Sequence, residues 1–389
     1  MIRNISRRSS LKCLLGGTAF VAGLSSACRS PFDGEISSTE KKAMAESAQA
    51  YRQQFSAPGL SVAIARHGRI AYAEAFGLIG HGFDAPLTTE NLFRIASVSK
   101  PITSTAIFLL VEQGKLRLDD TVIGNNGLLG TQYGTRPYGP GIERITIDHL
   151  LTHTSGGWDP GHDPMFAHPE LSQADLISWA LDTIPLQNSP GAKFAYSNFG
   201  YCLLGRVIEK VSGQSYRDFV KQNVLQPSGA TDMSIAGNSI AERAPSEVFY
   251  YGQTLVPGEQ HYDDPYALNV QRMDSHGGWI ASPSDLVRFS LQLDGPEASG
   301  KILRAETVAL MTTRSPVAPN YARGWAVNDR GNRWHSGDLG GTSAILVRTA
   351  GGFHWAALTN TRCARSAAAL DDLVWEMARK VRAWQSALG

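Results

Sequence analysis

The sequence is poor in residue clusters that bind metals or nucleic acids. Its 4 Cys and 10 His residues show no zinc-ligand spacing, and no His-Glu-x-x-His motif occurs among the 389 residues. The formal net charge is only +1, and nowhere does the sequence form a basic stripe typical of nucleic-acid binding. Internal repeats and low-complexity tracts are also absent. These absences favour an ordinary globular protein, for which we expect no metal, no cofactor and no nucleic-acid partner.

Long hydrophobic runs are absent too. The apolar run at 13–24, CLLGGTAFVAGL, is shorter than the roughly 20 residues that a membrane-spanning helix needs. Basic residues precede this run and small residues follow it, which is typical of an export signal. The segment SRRSSLK at 6–12 is similar to the twin-arginine export pattern. We therefore predict a signal peptide at 1–27, a tether at 28–38, and a location in the bacterial periplasm or cell envelope.

The cysteines bear on export as well. Cleavage after Ala27 would leave Cys28 first, and the segment LSSAC resembles a bacterial lipoprotein box. The sequence leaves open whether Cys28 carries a lipid that attaches the protein to a membrane, and whether export follows the twin-arginine or the general secretory route. Cys202 and Cys363 are interpreted as buried free thiols, although an exported protein permits a bridge between them.

Strand-like patterns lie towards both ends of the chain, and helical patterns lie between them. The segment 61–77 predicts a strand pair, 321–361 predicts further strands, and 366–388 predicts a long amphipathic helix. We predict an α+β fold in which the chain ends form one antiparallel sheet flanked by terminal helices, with an all-helical second subdomain. The predicted domain is 39–389, divided into a sheet part at 39–100 and 296–389 and a mainly helical part at 101–295.

The motif Ser-x-x-Lys occurs three times, and one copy stands where a helix is predicted to begin after a strand pair. That copy is Ser97–Lys100, whereas the others lie in the predicted signal and in a polar leader. A serine hydroxyl becomes a nucleophile when a base takes its proton, and a lysine is such a base when burial lowers its pKa. We predict this pairing for Ser97 and Lys100. The simpler alternative is that Ser97 only caps a helix.

Two further motifs supply partners for such a nucleophile. Tyr196-Ser197-Asn198 places a phenol that could relay protons beside an amide that could orient a substrate. His335-Ser336-Gly337 ends a strand-like run, where glycine permits close backbone approach. The simpler alternatives are a core tyrosine, a helix-capping asparagine and a solvent-facing strand histidine. A second His-x-Gly occurs at 276–278.

Taken together, these three motifs resemble those of the serine β-lactamase and penicillin-binding-protein superfamily, in particular its class C β-lactamase-like branch of DD-peptidases, D-aminopeptidases and esterases. The resemblance implies a β-lactamase/transpeptidase-like fold. It implies that Ser97 is acylated and that Lys100 and Tyr196 share the acid–base work. The other implied roles are substrate contact by Asn198, His335, Ser336 and Gly337, and an oxyanion hole formed by the backbone N–H groups of Ser97 and Asp338.

Two departures from the family pattern bear on the substrate. Penicillin-directed members usually carry Lys-Thr-Gly where this chain has His335-Ser336-Gly337, and a histidine is largely neutral at pH 7. The chain also lacks Glu-x-x-Leu-Asn. We expect an exported serine hydrolase that acts on an ester, an amide or a D-amino-acid peptide, fastest on the ester, with at most weak β-lactamase activity. The alternative is a penicillin-sensing or peptidoglycan-binding module with little turnover.

Overall fold

The computed structural model describes residues 36–80, 83–158, 162–252, 264–294, 301–362 and 366–388. The predicted signal peptide, Cys28, most of the predicted tether and Cys363 lie outside these residues. Cys202 is a fully buried free thiol, in agreement with its interpretation from the sequence. Within the described ranges, no helix combines the length and the apolar character needed to cross a bilayer.

Seven of the ten strands in the described residues form one antiparallel sheet. The strands are β1 Gly59–Arg66, β2 Arg69–Gly80, β3 Phe83–Pro86, β4 Phe93–Arg94, β5 Ser234–Ile235, β6 Trp279–Ala281, β7 Ala326–Val327, β8 Arg333–Leu339, β9 Thr342–Arg348 and β10 Phe353–Thr359. The large sheet has the order β3-β2-β1-β10-β9-β8-β7. β1 pairs with β10 so that Leu60 lies opposite Thr359. This pairing joins the two ends of the domain in one sheet and confirms the predicted α+β fold.

Helices cover both faces of this sheet and fill the middle of the chain. The α-helices are α1 Ser38–Gln54, α2 Ser99–Glu112, α3 Ile147–Leu151, α4 Gln173–Thr183, α5 Asn198–Ser212, α6 Tyr216–Val220, α7 Gln226–Ser228, α8 Pro283–Asp294, α9 Ala305–Thr312, α10 Ser366–Arg379 and α11 Gln385–Leu388. A π-helical turn at Lys221–Leu225 joins α6 to α7, so these three elements form one continuous helical segment.

The alternation of side chains along the strands explains how the helices pack. On β1, Leu60, Val62 and Ile64 join a buried cluster with residues of α1 and α10. Ala63 and Ala65 point to the opposite face and join the larger core. There α8 lies against β1 and β10, and the Oγ atom of Ser290 lies 2.7 Å from Nδ1 of His354. The terminal helices therefore flank the sheet as predicted, whereas α8 packs on the sheet although the sequence-based division placed it in the helical part.

Two elements differ from the sequence-based expectation. The predicted helix at 366–388 is interrupted after Arg379, and the extended Val381 lets Val381 and Trp384 bury their side chains beside the large sheet. The middle of the chain also contains β5 and β6. β6 pairs with both β4 and β5 in a small three-stranded sheet of the order β4-β6-β5. Strands of two or three residues are too short for an alternating pattern. The middle region is therefore mainly helical but not all-helical.

Candidate active site

Ser97 lies in a strained turn at the start of the most buried helix of the middle region. Ala96 has a φ of 47°, which a residue with a Cβ atom rarely adopts. Such conformations persist where the surrounding structure imposes them, often at functional sites. A 3-10 turn at Ala96–Val98 then leads directly into α2. The half-buried Ser97 is thereby fixed one turn before Lys100.

Lys100 is fully buried and its amine has three close partners. Nζ lies 2.9 Å from Oγ of Ser97, 2.7 Å from Oδ1 of Asn198 and 3.0 Å from the carbonyl oxygen of His276. Burial lowers the pKa of Lys100 to about 7, against the opposing effect of the Asp163 carboxylate. A large fraction of the lysine is therefore neutral near pH 7, and the neutral amine can accept the proton of the Ser97 hydroxyl.

The phenol of Tyr196 approaches the same serine from the crevice side. It shares a hydrogen bond with Ser97, and its ring centroid lies 4.7 Å from Nζ of Lys100. Loss of hydration raises the pKa of Tyr196 above its ordinary value, so the phenol is protonated at neutral pH. The side chain is 39% exposed, which excludes a purely core tyrosine. It is placed to carry a proton between Ser97 and a bound molecule.

Asn198 is the first residue of α5, and its side chain is turned to Lys100. The helix cap is Ser197, whose Oγ accepts the backbone N–H of Gly200 at 3.0 Å. Asn198 is therefore free of the capping role, which was the simpler alternative. Its Oδ1 accepts from Lys100 at 2.7 Å.

A crevice of about 320 Å³ opens over Ser97. It brings together most of the residues that the sequence singled out. Its described lining consists of Ala96, Ser97, Phe166, Tyr196, Asn198, His276, Gly277, His335, Ser336, Asp338 and Leu339. Lys100 lies beneath this lining. The three motifs predicted from the sequence, at 97–100, 196–198 and 335–337, therefore meet around one serine.

Gly337 allows β8 to approach the serine turn closely. A Cβ atom at this position would lie 2.1 Å from the carbonyl oxygen of Ile95 and 3.1 Å from Cβ of Ala96. Only glycine fits there without a shift of backbone. The strand edge that carries Ser336 and Asp338 therefore lies directly beside Ser97.

His335 is buried and belongs to a continuous hydrogen-bonded chain. The backbone N–H of Ser197 donates to Nδ1 of His153 at 3.1 Å, so the neutral His153 carries its proton on Nε2. Nε2 of His153 lies 3.2 Å from the Tyr321 hydroxyl, which lies 3.0 Å from Nε2 of His335. Nδ1 of His335 lies 2.7 Å from the carbonyl oxygen of Ser336. The consistent assignment is that Tyr321 accepts from His153 and donates to His335.

His335 is uncharged at neutral pH. Burial, together with the nearby Lys100, lowers the pKa of His335 to about 3. His335 is 5% exposed, so it is not the solvent-facing strand histidine of the simpler alternative. At neutral pH the crevice therefore receives no positive charge from this position, as expected from the sequence.

The two predicted oxyanion donors lie at the same crevice. Ser97 precedes the first internal hydrogen bond of its helical turn, Val98 N–H to Ile95 O at 3.1 Å, a position where N–H groups lack helical acceptors. The carboxylate of Asp338 accepts from Oγ of Ser343 at 2.5 Å. Burial raises the pKa of that carboxyl. The oxyanion role of the two backbone N–H groups stays a prediction.

Several polar residues that bond to the site were not assigned a role from the sequence, and three of them bear on the catalytic groups. They are Asp163, which bonds to the start of α5, Tyr321, which links two histidines, and His276, whose carbonyl accepts from Lys100. The Asp163-Pro164 pair is typical of a helix start, and His276 stands in the second His-x-Gly. Neither signal indicates contact with the serine site. For metals, the described ranges contain no group of His, Cys, Asp or Glu that could hold an ion.

One family model and several known proteins are similar to this chain. The family model described as Beta-lactamase matches residues 44–379. Penicillin-binding protein 4* from Bacillus subtilis (strain 168) is 28% identical over 308 residues, which cover 74% of this chain and 64% of that protein. The chain thus spans less than two thirds of this relative.

Solved structures show the same fold. The D-amino acid amidase from Ochrobactrum anthropi SV3, complexed with L-phenylalanine amide, matches this chain with a TM-score of 0.71 at 20% identity. The match covers 89% of this chain and 99% of the amidase chain. A D-stereospecific amidohydrolase from Streptomyces sp. has a TM-score of 0.64 at 26% identity, covering 82% of this chain and 94% of its own.

Proposed function

The chain belongs to the Beta-lactamase family, a family of serine hydrolases, and on that premise we propose that it hydrolyses esters or amides through an acyl-enzyme on Ser97. One observation carries the proposal. The fully buried Lys100 places Nζ 2.9 Å from Oγ of Ser97, with a pKa lowered to about 7. A lysine in this state is a base at neutral pH, whereas an exposed lysine is not.

The proposed reaction has two halves. Lys100 accepts the proton of Ser97 as Oγ bonds to the substrate carbonyl carbon, and the oxyanion is held by the backbone N–H groups of Ser97 and Asp338. As the carbonyl re-forms, the bond to the leaving group breaks, and Tyr196 passes a proton to the departing alcohol or amine. Water then attacks the acyl carbon and gives one proton to the Tyr196 phenolate. As the bond between the acyl carbon and Oγ of Ser97 breaks, Lys100 returns its proton to Oγ.

The charges of the crevice favour substrates without a carboxylate next to the reacting carbonyl. Among its described lining residues, Asp338 is the one acid, and the two histidines are neutral because burial lowers their pKa. An anionic penicillin or a free D-alanine terminus would find no cation in that lining. We therefore propose an ester, or the amide or peptide of a D-amino acid. Similarity to the D-amino acid amidase and to the D-stereospecific amidohydrolase above supports this class.

Turnover by purified wild type and Ser97→Ala tests the proposal. The substrates are nitrocefin, a p-nitrophenyl acyl ester, and a D-alanyl peptide with a blocked carboxyl end. We expect steady-state hydrolysis by the wild type, fastest on the ester, and none by Ser97→Ala. Persistent turnover by Ser97→Ala would refute the proposal. A burst of one equivalent without steady state would instead indicate the sensor module.

We further propose that the protein acts in the cell envelope. Support comes from the signal-like residues 1–27 and from the lipobox-like segment that ends at Cys28. Fractionation of cells that express wild type and Cys28→Ser, with mass spectrometry of the mature N-terminus, tests export and lipid attachment separately.

A further inference from the structure

Asp163 bonds to the start of α5 beside the crevice, although it is not among the described lining residues. Its Oδ1 accepts the backbone N–H of Met165 at 3.0 Å, and its Oδ2 accepts the backbone N–H of Asn198 at 2.6 Å. The backbone N–H of Phe199 bonds to the same carboxylate. Burial raises the pKa of Asp163, whereas the three N–H donors and the nearby Lys100 oppose this rise and favour the ionised carboxylate.

Two of these donors belong to the first turn of α5, where helix N–H groups lack internal acceptors and favour negative charge. Asn198, which begins that turn, accepts from Lys100 through its side chain at 2.7 Å. A short path of two hydrogen bonds therefore connects the carboxylate of Asp163 to the amine of Lys100.

We propose that Asp163 is a positioning residue, which holds Asn198 against Lys100 and supplies the negative charge that balances the lysine when it carries the proton of Ser97. This inference rests on the function proposed above. It concerns a residue that touches neither the substrate nor the reacting atoms.

The other ionisable groups around Lys100 are uncharged near pH 7. Burial lowers the pKa of three histidines and raises the pKa of two tyrosines, namely His153, His276, His335, Tyr196 and Tyr201. The charge of Asp163 acts in the opposite direction to burial on Lys100 and raises the lysine pKa. Removal of that charge should therefore lower the lysine pKa further.

The test is the pH dependence of the second-order rate at which a fluorophosphonate labels the protein. This rate rises with pH as Lys100 loses its proton, with a midpoint near its pKa. In Asp163→Asn we expect the midpoint to fall by about one pH unit, because one nearby opposite charge is lost. Asp163→Glu, which restores the charge, should return it towards the wild-type value.

Two further variants complete the experiment. Asp163→Ser removes the charge but keeps an oxygen that can cap the 3-10 turn at Pro164–Phe166. It should therefore shift the midpoint as Asp163→Asn does, and it replaces that variant in the test if Asp163→Asn does not fold. Asp175→Asn is the matched control, because Asp175 bonds to Oγ of Ser172 at the exposed start of α4. Its midpoint should match the wild type.

An unchanged midpoint in Asp163→Asn and Asp163→Ser, with a rate reduced equally at every pH, would overturn the inference and leave Asp163 as a helix cap only. The proposed function would stand in that case, provided that Ser97→Ala is not labelled. Labelling of Ser97→Ala at the wild-type rate would instead refute the proposed function itself.

Discussion

The side-chain nitrogen of Lys100 lies 2.9 Å from the hydroxyl oxygen of Ser97, and no part of the lysine side chain reaches solvent. A proton can therefore pass between the two groups without an intervening water. Because an ammonium is strongly destabilised by loss of its hydration, the buried amine gives up its own proton at a much lower pH than an exposed lysine. The expected chemistry depends on this relationship.

The first prediction concerns pH. Since Lys100 must be neutral to accept a proton and its pKa is lowered to about 7, kcat/KM should rise with pH and reach half of its plateau near pH 7. Lys100→Arg should reduce kcat/KM by about 10²–10⁴-fold, because a guanidinium stays protonated. Lys115→Arg, at an exposed position after α2, is the control and should leave the profile unchanged. A half-maximum near pH 4 in the wild type would contradict the assignment.

The second prediction concerns the close approach of β8 to the serine turn. Gly337→Ala should lower the free energy of unfolding by about 1–3 kcal/mol and reduce kcat/KM, because the added Cβ meets the carbonyl oxygen of Ile95. Thermal denaturation and steady-state rates measure both effects. At Gly139, a Cβ would only reach ordinary contact, 3.5 Å from Cδ1 of Ile142, so Gly139→Ala is the control. Equal changes in unfolding free energy and in kcat/KM for the two variants would show that β8 does not approach the serine turn closely.

The third prediction concerns the link between the two histidines. Tyr321→Phe leaves the facing nitrogens of His335 and His153 without a partner, which should lower the free energy of unfolding by about 1–3 kcal/mol. We also expect a lower kcat/KM, because β8 loses the hydrogen bonds that connect His335 through Tyr321 and His153 to the segment of Tyr196. The control is Tyr138→Phe, whose hydroxyl donates to the carbonyl of Tyr133 at 2.7 Å outside the described crevice lining. A wild-type kcat/KM in Tyr321→Phe would show that the hydrogen bonds of Tyr321 do not contribute to catalysis.

The fourth prediction concerns specificity. His335→Lys places a cation at the position where penicillin-directed relatives usually carry one, so it should raise the ratio of nitrocefin to ester turnover relative to the wild type. His335→Gln changes the same contacts without adding charge and should not raise this ratio. The ratio is obtained by measuring the turnover of nitrocefin and of the ester in parallel for the wild type and both variants. A wild type that already prefers nitrocefin would contradict our interpretation of the neutral His335.

Local features of the site could be predicted from the sequence. Ser97 and Lys100 are three residues apart on helical backbone, so their proximity follows from helix geometry alone. The strands β1 and β10 are nearly continuous apolar runs, as expected for strands buried on both faces, and α10 is amphipathic. Their packing agrees with the prediction.

The rest depends on contacts between distant segments. Asp163 reaches the N–H of Asn198 across 35 positions, and Tyr321 reaches His153 across 168. No spacing rule predicts such pairs, because only the folded core determines which loops meet. The strand β5 in the small sheet has only two residues, which is too short to show a periodic pattern in the sequence.

The most direct measurement of the central claim is peptide mass spectrometry of the protein after reaction with a fluorophosphonate. We expect one adduct, on Ser97, whose formation accelerates as the pH is raised through about 7. The Ser97→Ala variant, with a thermal stability close to that of the wild type, should carry no adduct. An adduct on another residue of the active wild type would contradict the account, as would turnover by Ser97→Ala.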